Sequence, residues 1–334
     1  MTRTRMGSQS GWWLPSPDGC SCPMRSALTI TRAAVRAAGR AEVNAVPGLI
    51  ANTDASGELG RRVAERLARR GMRQRLLVQG GATGYELPRA EMTPITGYDD
   101  TGAMTAALAG VETLLLIPVK ERPDRARVHA AAVDAAVQAG VRRIVYSSFL
   151  GASADSAFPF GRDHYATEEY VKKTGLPFVF VRGSAFLEVV HWLIGADRVI
   201  RGPAGQGRLA PIARDDLADT IAAILAADGE HDGRRYDVTG PQALSLHDIA
   251  AEFTRASGRP ISYVEETPEQ AWASRRTYGA PDWQVAAWVG TYLMLASGDM
   301  DIVSDTVPKL TGHPAQSLPD YLTHHPEDHQ RFLA

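Results

Sequence analysis

The sequence predicts an α/β fold, a doubly wound parallel sheet followed by a smaller C-terminal α+β unit. Three observations predict it. From residue 48 onward, short apolar runs alternate with amphipathic helical patterns, which marks βαβ units on a parallel sheet. Several helical patterns stop at a glycine (Gly71, Gly110, Gly140, Gly175), the residue best suited to the left-handed position after a helix. Residues 49–63 read as strand, tight glycine turn and helix start, a layout in which helix N–H groups face a pyrophosphate. Together these give a Rossmann-type sheet with its ligand outside the C-terminal strand ends.

The elements follow in order. The first strand lies near 48–52. A helix over 58–70 has Leu59, Val63 and Leu67 at four-residue spacing, with arginines on the other face. Strands at 75–79 and 92–96 precede a helix at 101–109 and an apolar strand at 111–119. An Ala-rich helix at 124–139, a strand at 142–148, a helix at 164–174 and a strand at 177–182 complete the regular part. Beyond it the alternation weakens. Strands are expected at 208–211 and 235–238, and helices at 215–227, 246–257 and 282–296, with Ser245 as the N-cap of the second. The resulting organisation is an N-terminal extension (1–47), a dinucleotide-binding domain (48–182) and a substrate domain (183–334), some of whose elements return to the sheet.

Bulk properties narrow the function. The chain has 334 residues, 44% hydrophobic and 22% charged, as in ordinary globular proteins. A net charge of −2 lacks the basic footprint of a nucleic-acid binder. No apolar run approaches the ~20 residues of a membrane span. Both cysteines, Cys20 and Cys22, lie in the extension, so the body has no disulfide, which fits a reducing cytoplasm. The extension is rich in Ser, Pro, Gly and Arg and has no continuous apolar stretch of a signal peptide. It reads as disordered or loosely docked, with a short helix at 27–39. No metal is expected: no histidine neighbours the Cys pair, and Pro326 interrupts the spacing of His325 and His329.

The glycine turn departs from its fingerprint. The pattern G-x-x-G-x-x-G is here Asp54, Gly57 and Gly60. Ala55, Ser56, Gly57, Glu58 and Leu59 are expected to form the pyrophosphate loop, with Gly57 allowing close backbone approach. If position 54 needs positive φ, Asp costs ~1–2 kcal/mol there. Its charge near a pyrophosphate costs about 2 kcal/mol more at an effective dielectric near 20. The sum weakens binding roughly a hundredfold. Gln79 ends the second strand, where an acid favours NAD and an arginine NADP. It does neither, so NADPH and NADH both stay open.

Several ordered segments carry a family resemblance. Residues 53–60, Thr-Asp-Ala-Ser-Gly-Glu-Leu-Gly, match T-G-A-T-G-x-L-G apart from Asp54. Gly-Tyr-Asp-Asp at 97–100, Ala-Gly-Val-Arg-Arg-Ile-Val-Tyr-Ser-Ser at 139–148 and His-Tyr-Ala-Thr-Glu at 164–168 follow. Then come Arg-Asp-Asp-Leu-Ala at 214–218, Tyr-Asp-Val-Thr-Gly-Pro at 236–241 and Leu-Thr-Gly-His-Pro at 310–314. In this order and spacing the chain resembles the NmrA-like, atypical short-chain dehydrogenase/reductase family, particularly its bacterial NAD(P)H:quinone oxidoreductase branch. The resemblance implies a Rossmann fold and a bound nicotinamide cofactor, with Thr53 opening the cofactor turn. It also implies that Asp99 flanks the adenine and that Pro118 and Ser147 border the nicotinamide ribose.

Better-known short-chain reductases use a Tyr-x-x-x-Lys pair, in which Lys lowers the Tyr pKa. Tyr165 is followed at the Lys position by Glu169, and an anion there would raise it. The candidate catalytic group is therefore His164, with Tyr165 and Glu168 beside it. Glu168 is four residues along the helix, placed to orient the imidazole or bind a ribose hydroxyl. Residues 183–188, including Gly183 and Phe186, are expected to line the substrate pocket. Trp288, on an aromatic face of the last long helix, is expected to cover a flat substrate.

The reading is an NAD(P)H-dependent oxidoreductase of a quinone or aromatic secondary metabolite in the cytoplasm, with neither nucleic acid nor membrane as partner. A homodimer is left open. The alternatives are an NmrA-type dinucleotide-sensing regulator and a tailoring or coupling enzyme that has lost hydride transfer.

Overall fold

The computed structural model describes residues 48–80, 86–330 and 332. The expectations for 1–47 lie outside the described residues. The regular part runs β1 (Ile50–Asn52), α1 (Glu58–Arg69), β2 (Gln74–Gln79), β3 (Ala90–Ile95), α2 (Thr101–Ala107) and β4 (Thr113–Leu116). It continues with α3 (Arg125–Gln138), β5 (Arg143–Phe149), α4 (Pro159–Lys173) and β6 (Phe178–Gly183). The later elements are α5 (Leu187–Val190), β7 (Val199–Gly202), β8 (Arg208–Leu209), α6 (Arg214–Ala226), β9 (Arg234–Val238), β10 (Leu244–Ser245) and α7 (Leu246–Ser257). After these come β11 (Ser262–Glu265), α8 (Pro268–Arg276), α9 (Asp282–Ala296), α10 (Thr306–Thr311), α11 (Leu318–His324) and α12 (Glu327–Gln330).

Seven strands form one parallel sheet in the order β3-β2-β1-β4-β5-β6-β9. Chain order reverses beside β1: β1 and β4 pair, but the chain leaves them for opposite faces, into α1 and α3, so a crevice opens at their C-terminal ends. The central strands read as continuous apolar runs because both faces are covered. One face packs against α2, α3 and α4 through Leu114, Ile144, Tyr146 and Val133. The other packs against α1 and α6 through Val63, Leu67, Val145 and Ile221. A third apolar core joins the end of β5 to α7, α9 and α11.

Two features differ from expectation. Helix α4 begins at Pro159 rather than at 164, because proline suits the first helical position, where no N–H is needed. Segments expected to be irregular form a parallel pair, β7 with β11. The predicted N-cap Ser245 closes a capping box with Asp248. No helix among the described residues is long and apolar enough to cross a membrane.

Candidate active site

The turn after β1 is held by its own side chains. Asn52 is fully buried, accepts the Asp54 N–H at 3.1 Å and donates to the Gly60 carbonyl at 2.8 Å. The chain is thereby clipped into a tight loop whose next residues start α1. A Cβ on Gly57 would overlap the Asp54 carboxylate, and one on Gly60 would overlap the Asp54 carbonyl. Both positions need glycine for close approach. Thr53 ties the turn to β4: its Oγ1 accepts the Ile117 N–H at 3.0 Å. The Tyr98 hydroxyl donates to the Thr53 carbonyl at 2.8 Å.

Asp54 corrects the expected backbone cost. It is not among the described non-glycine residues with positive φ, so position 54 carries no left-handed strain. Its charge is also conditional. Burial pushes the carboxyl up to about 7, against the pull of the Gly60 N–H and Lys120. Near neutral pH the group is about half protonated, and its repulsion of phosphate is proton-linked rather than fixed.

An open cleft of about 870 Å³ runs along the strand ends. At the turn it is lined by Thr53, Asp54, Ser56, Gly57, Glu58 and Leu59. Gln79 and Asp99 line one end of it, and Pro118 and Ser147 follow from β4 and β5. His164, Gly183 and Phe186 line its far part. Asp99 pairs with Arg127 at 3.3 Å and Arg122 at 3.8 Å, so its carboxylate is held by cations at the rim.

Three expected site residues lie away from the cleft, and Ala55, within the turn, turns its side chain away from it. Ala55 is buried in a small apolar cluster with Ala64, Leu76 and Val78, so its side chain supports the loop from behind. Tyr165 does not line the cleft. Glu168 does not reach His164: it accepts from Ser148 Oγ at 2.6 Å and binds Arg182 through both oxygens at 2.8 and 2.6 Å. That fully buried ion pair ties α4 to β5 and β6. Trp288 packs with Ala271, Val285 and Val289 between α8 and α9, because the aromatic face of α9 turns to the core rather than to the cleft.

His164 is set by a different partner. Its Nδ1 lies 2.9 Å from the Tyr146 hydroxyl, and its ring stacks on Phe149 at 5.9 Å. Burial, with Arg125, His129 and Arg182 nearby, holds its pKa well below the ordinary value. The imidazole is neutral at working pH. Burial likewise pushes the Tyr146 hydroxyl well above its usual range, so it remains protonated. A neutral imidazole facing a cleft can donate or accept a hydrogen bond without changing charge.

Sequence reasoning missed Lys120, Glu121, Arg122, Phe149, Arg214 and Gln284, all of which line the cleft. Arg214 opens the Arg-Asp-Asp-Leu-Ala segment, which was a signal. The others follow strand ends or sit on distant helices without a local pattern.

A strand-end cleft at the switch point, with a glycine turn that admits phosphate, fits a dinucleotide. The sequence profile of a family described as NAD(P)H-binding matches residues 55–228. The chain belongs to the NmrA-like NAD(P)H-binding family. Quinone oxidoreductase 2 of Escherichia coli is 31% identical over 284 residues, spanning 83% of this chain and 98% of that protein. An NAD(P)H azoreductase of Xenophilus azovorans is 31% identical over 275 residues, 81% of this chain and 95% of that one. The crystal structure of the E. coli NADPH-dependent quinone oxidoreductase with NADPH has a TM-score of 0.76 at 30% identity. It covers 82% of this NmrA-like chain and 99% of its own.

Proposed function

We propose that this NmrA-like protein is an NAD(P)H-dependent reductase of quinones or similarly flat aromatic acceptors. The observation that carries this reading is the single cleft from the glycine turn to Phe186, in which cofactor and acceptor share one space. The exposed, uncharged Gln79 leaves both NADPH and NADH acceptable. On this reading residues 48–182 hold the dinucleotide and 183–334 supply most of the acceptor side. The site works on a small aromatic molecule in the cytoplasm and not on nucleic acid, which the near-neutral net charge of −2 supports. A homodimer is compatible with it.

When bound, the dinucleotide supplies a hydride. Gly57 lets the backbone approach its phosphates, Gly60 lets α1 close against the turn, and Pro118 and Ser147 border its ribose. His164 meets the acceptor as a neutral hydrogen-bonding group, held by Tyr146. A hydroquinone anion is a comparatively stable product, so the step asks little of an acid. Replacing His164 therefore costs less than the ~10²–10⁴ of full general acid catalysis.

The test is oxidation of NADPH and NADH by menadione, followed by loss of nicotinamide absorbance, with cofactor affinity measured separately by fluorescence. Turnover is expected, and His164→Gln should lower kcat about tenfold while the cofactor Kd holds. Cofactor binding without oxidation by any quinone would replace the reductase with the sensor. Absence of binding would leave the tailoring enzyme.

A further inference from the structure

We propose that Arg214, Ser184 and Phe186 form a subsite for an oxyanion on the acceptor, so that the substrate is a flat aromatic molecule bearing a carboxylate, sulfonate or phosphate ester. This rests on reading the β6 end of the cleft as the acceptor side.

Arg214 is the first residue of α6 and is only 7% exposed, yet it lines the cleft. Its main-chain N–H is used by Glu188 Oε1 at 2.8 Å. Its guanidinium is not so used. The nearest carboxylate oxygen, Glu188 Oε2, is 3.7 Å from Nη1, beyond hydrogen-bond reach. Among the described residues no acceptor is hydrogen-bonded to this side chain. Arg214 Cζ lies 4.6 Å above the Phe186 ring, which fixes the plane of the fork.

Ser184 supplies the second, independent observation. It is 2% exposed and lines the same cleft, and its hydroxyl has no hydrogen-bond partner among the described residues. Its backbone is already engaged, with its N–H donating to the Val238 carbonyl at 3.0 Å.

Two buried donors with unmet capacity are costly unless something enters to accept from them. A neutral carbonyl would leave most of the five guanidinium N–H groups unmet, whereas an oxyanion matches the fork in a bidentate, charge-assisted pair. Glu188 faces the guanidinium at 3.7 Å without a hydrogen bond, so its charge leaves the N–H groups of the fork unmet. The aromatic body of the ligand has Phe149 and Phe158 nearby in the cleft.

The test uses two unreactive ligands of one shape, 2-naphthoate and 2-naphthamide, titrated calorimetrically into the full chain with NADPH present. Wild type should bind the carboxylate about tenfold tighter than the amide. Arg214→Gln should erase that difference while leaving the amide's Kd in place. Arg214→Lys should keep part of it, and Ser184→Ala, which removes no bonded partner, should reduce it about threefold. Equal affinity of wild type for the two ligands overturns the subsite. So does an Arg214→Gln protein that loses NADPH affinity as strongly as naphthoate affinity, since Arg214 would then serve the cofactor's phosphates. Failure of menadione turnover with naphthoate preference intact would refute the reductase and spare the subsite.

Discussion

The two ends of the cleft are built by opposite means. At the end proposed for the phosphates the turn itself lies within residues 52–60: Asn52 clips it, Gly57 and Gly60 clear it, and α1 starts within it. At the end proposed for the acceptor the groups come from distant segments: His164 on α4, Ser184 and Phe186 after β6, Arg214 opening α6 and Gln284 on α9. One end is a local backbone shape, and the other is a tertiary assembly of side chains. A local shape fails when an atom is added. An assembly fails when a packing partner is lost.

The comparison breaks first at Gly60. A methyl group there overlaps the Asp54 carbonyl and crowds Asn52 Oδ1. Gly60→Ala should displace the turn and cost about a hundredfold in NADPH affinity, read by fluorescence titration. Retained affinity would mean that the turn yields and that its shape is not decisive.

Glu168 probes the assembled end. Glu168→Gln leaves Arg182 buried without its counter-charge, and a loss of about 3–5 kcal/mol is expected in urea unfolding. The protein that remains folded should still bind NADPH. Undiminished stability with abolished turnover would return Glu168 to the chemistry.

The smallest effect concerns Asp54. Its folded pKa is raised to about 7, so the group is neutral below that pH and charged above it. Phosphates are repelled only by the charged form. NADPH affinity should therefore weaken as pH rises through 7, by at most about tenfold per pH unit for one proton. Asp54→Asn should flatten that slope. A wild-type affinity that does not vary between pH 6 and 8, values taken about one unit either side of the transition, would remove Asp54 from the phosphate side.

The contrast also explains what the sequence disclosed. Every strand of the main sheet could be read: the central β4, β5 and β6 as buried apolar runs, the half-exposed edge strands β3 and β9 from their place between helical patterns. The phosphate turn was legible for the same reason: its residues are neighbours in the chain. What misled was chemistry that depends on orientation. Glu168 has the spacing to touch His164, but two buried donors, Arg182 and Ser148, capture it. Trp288 lies on an aromatic helical face that could meet ligand or core, and spacing alone does not say which. The pairing of β7 with β11 joins short strands some sixty residues apart, with no local pattern to announce it. Helix α8 did leave a signal, a Thr267–Gln270 capping box with Pro268 just inside it.

The last strand of the sheet, β9, docks beside β6 only after the chain has made a long excursion through α5, β7, β8 and α6. The excursion leaves and rejoins a rigid frame at two adjacent strands. Lengthening such a loop costs little entropy, about 0.6 kcal/mol for each doubling. Insertions and deletions in its stretch from α5 to β8 can remodel the proposed acceptor side while β1 through β6, and α6 packed on α1, keep their places. The dinucleotide half is thus insulated from evolutionary change in the other half, which lets one inherited hydride donor be matched to many different acceptors.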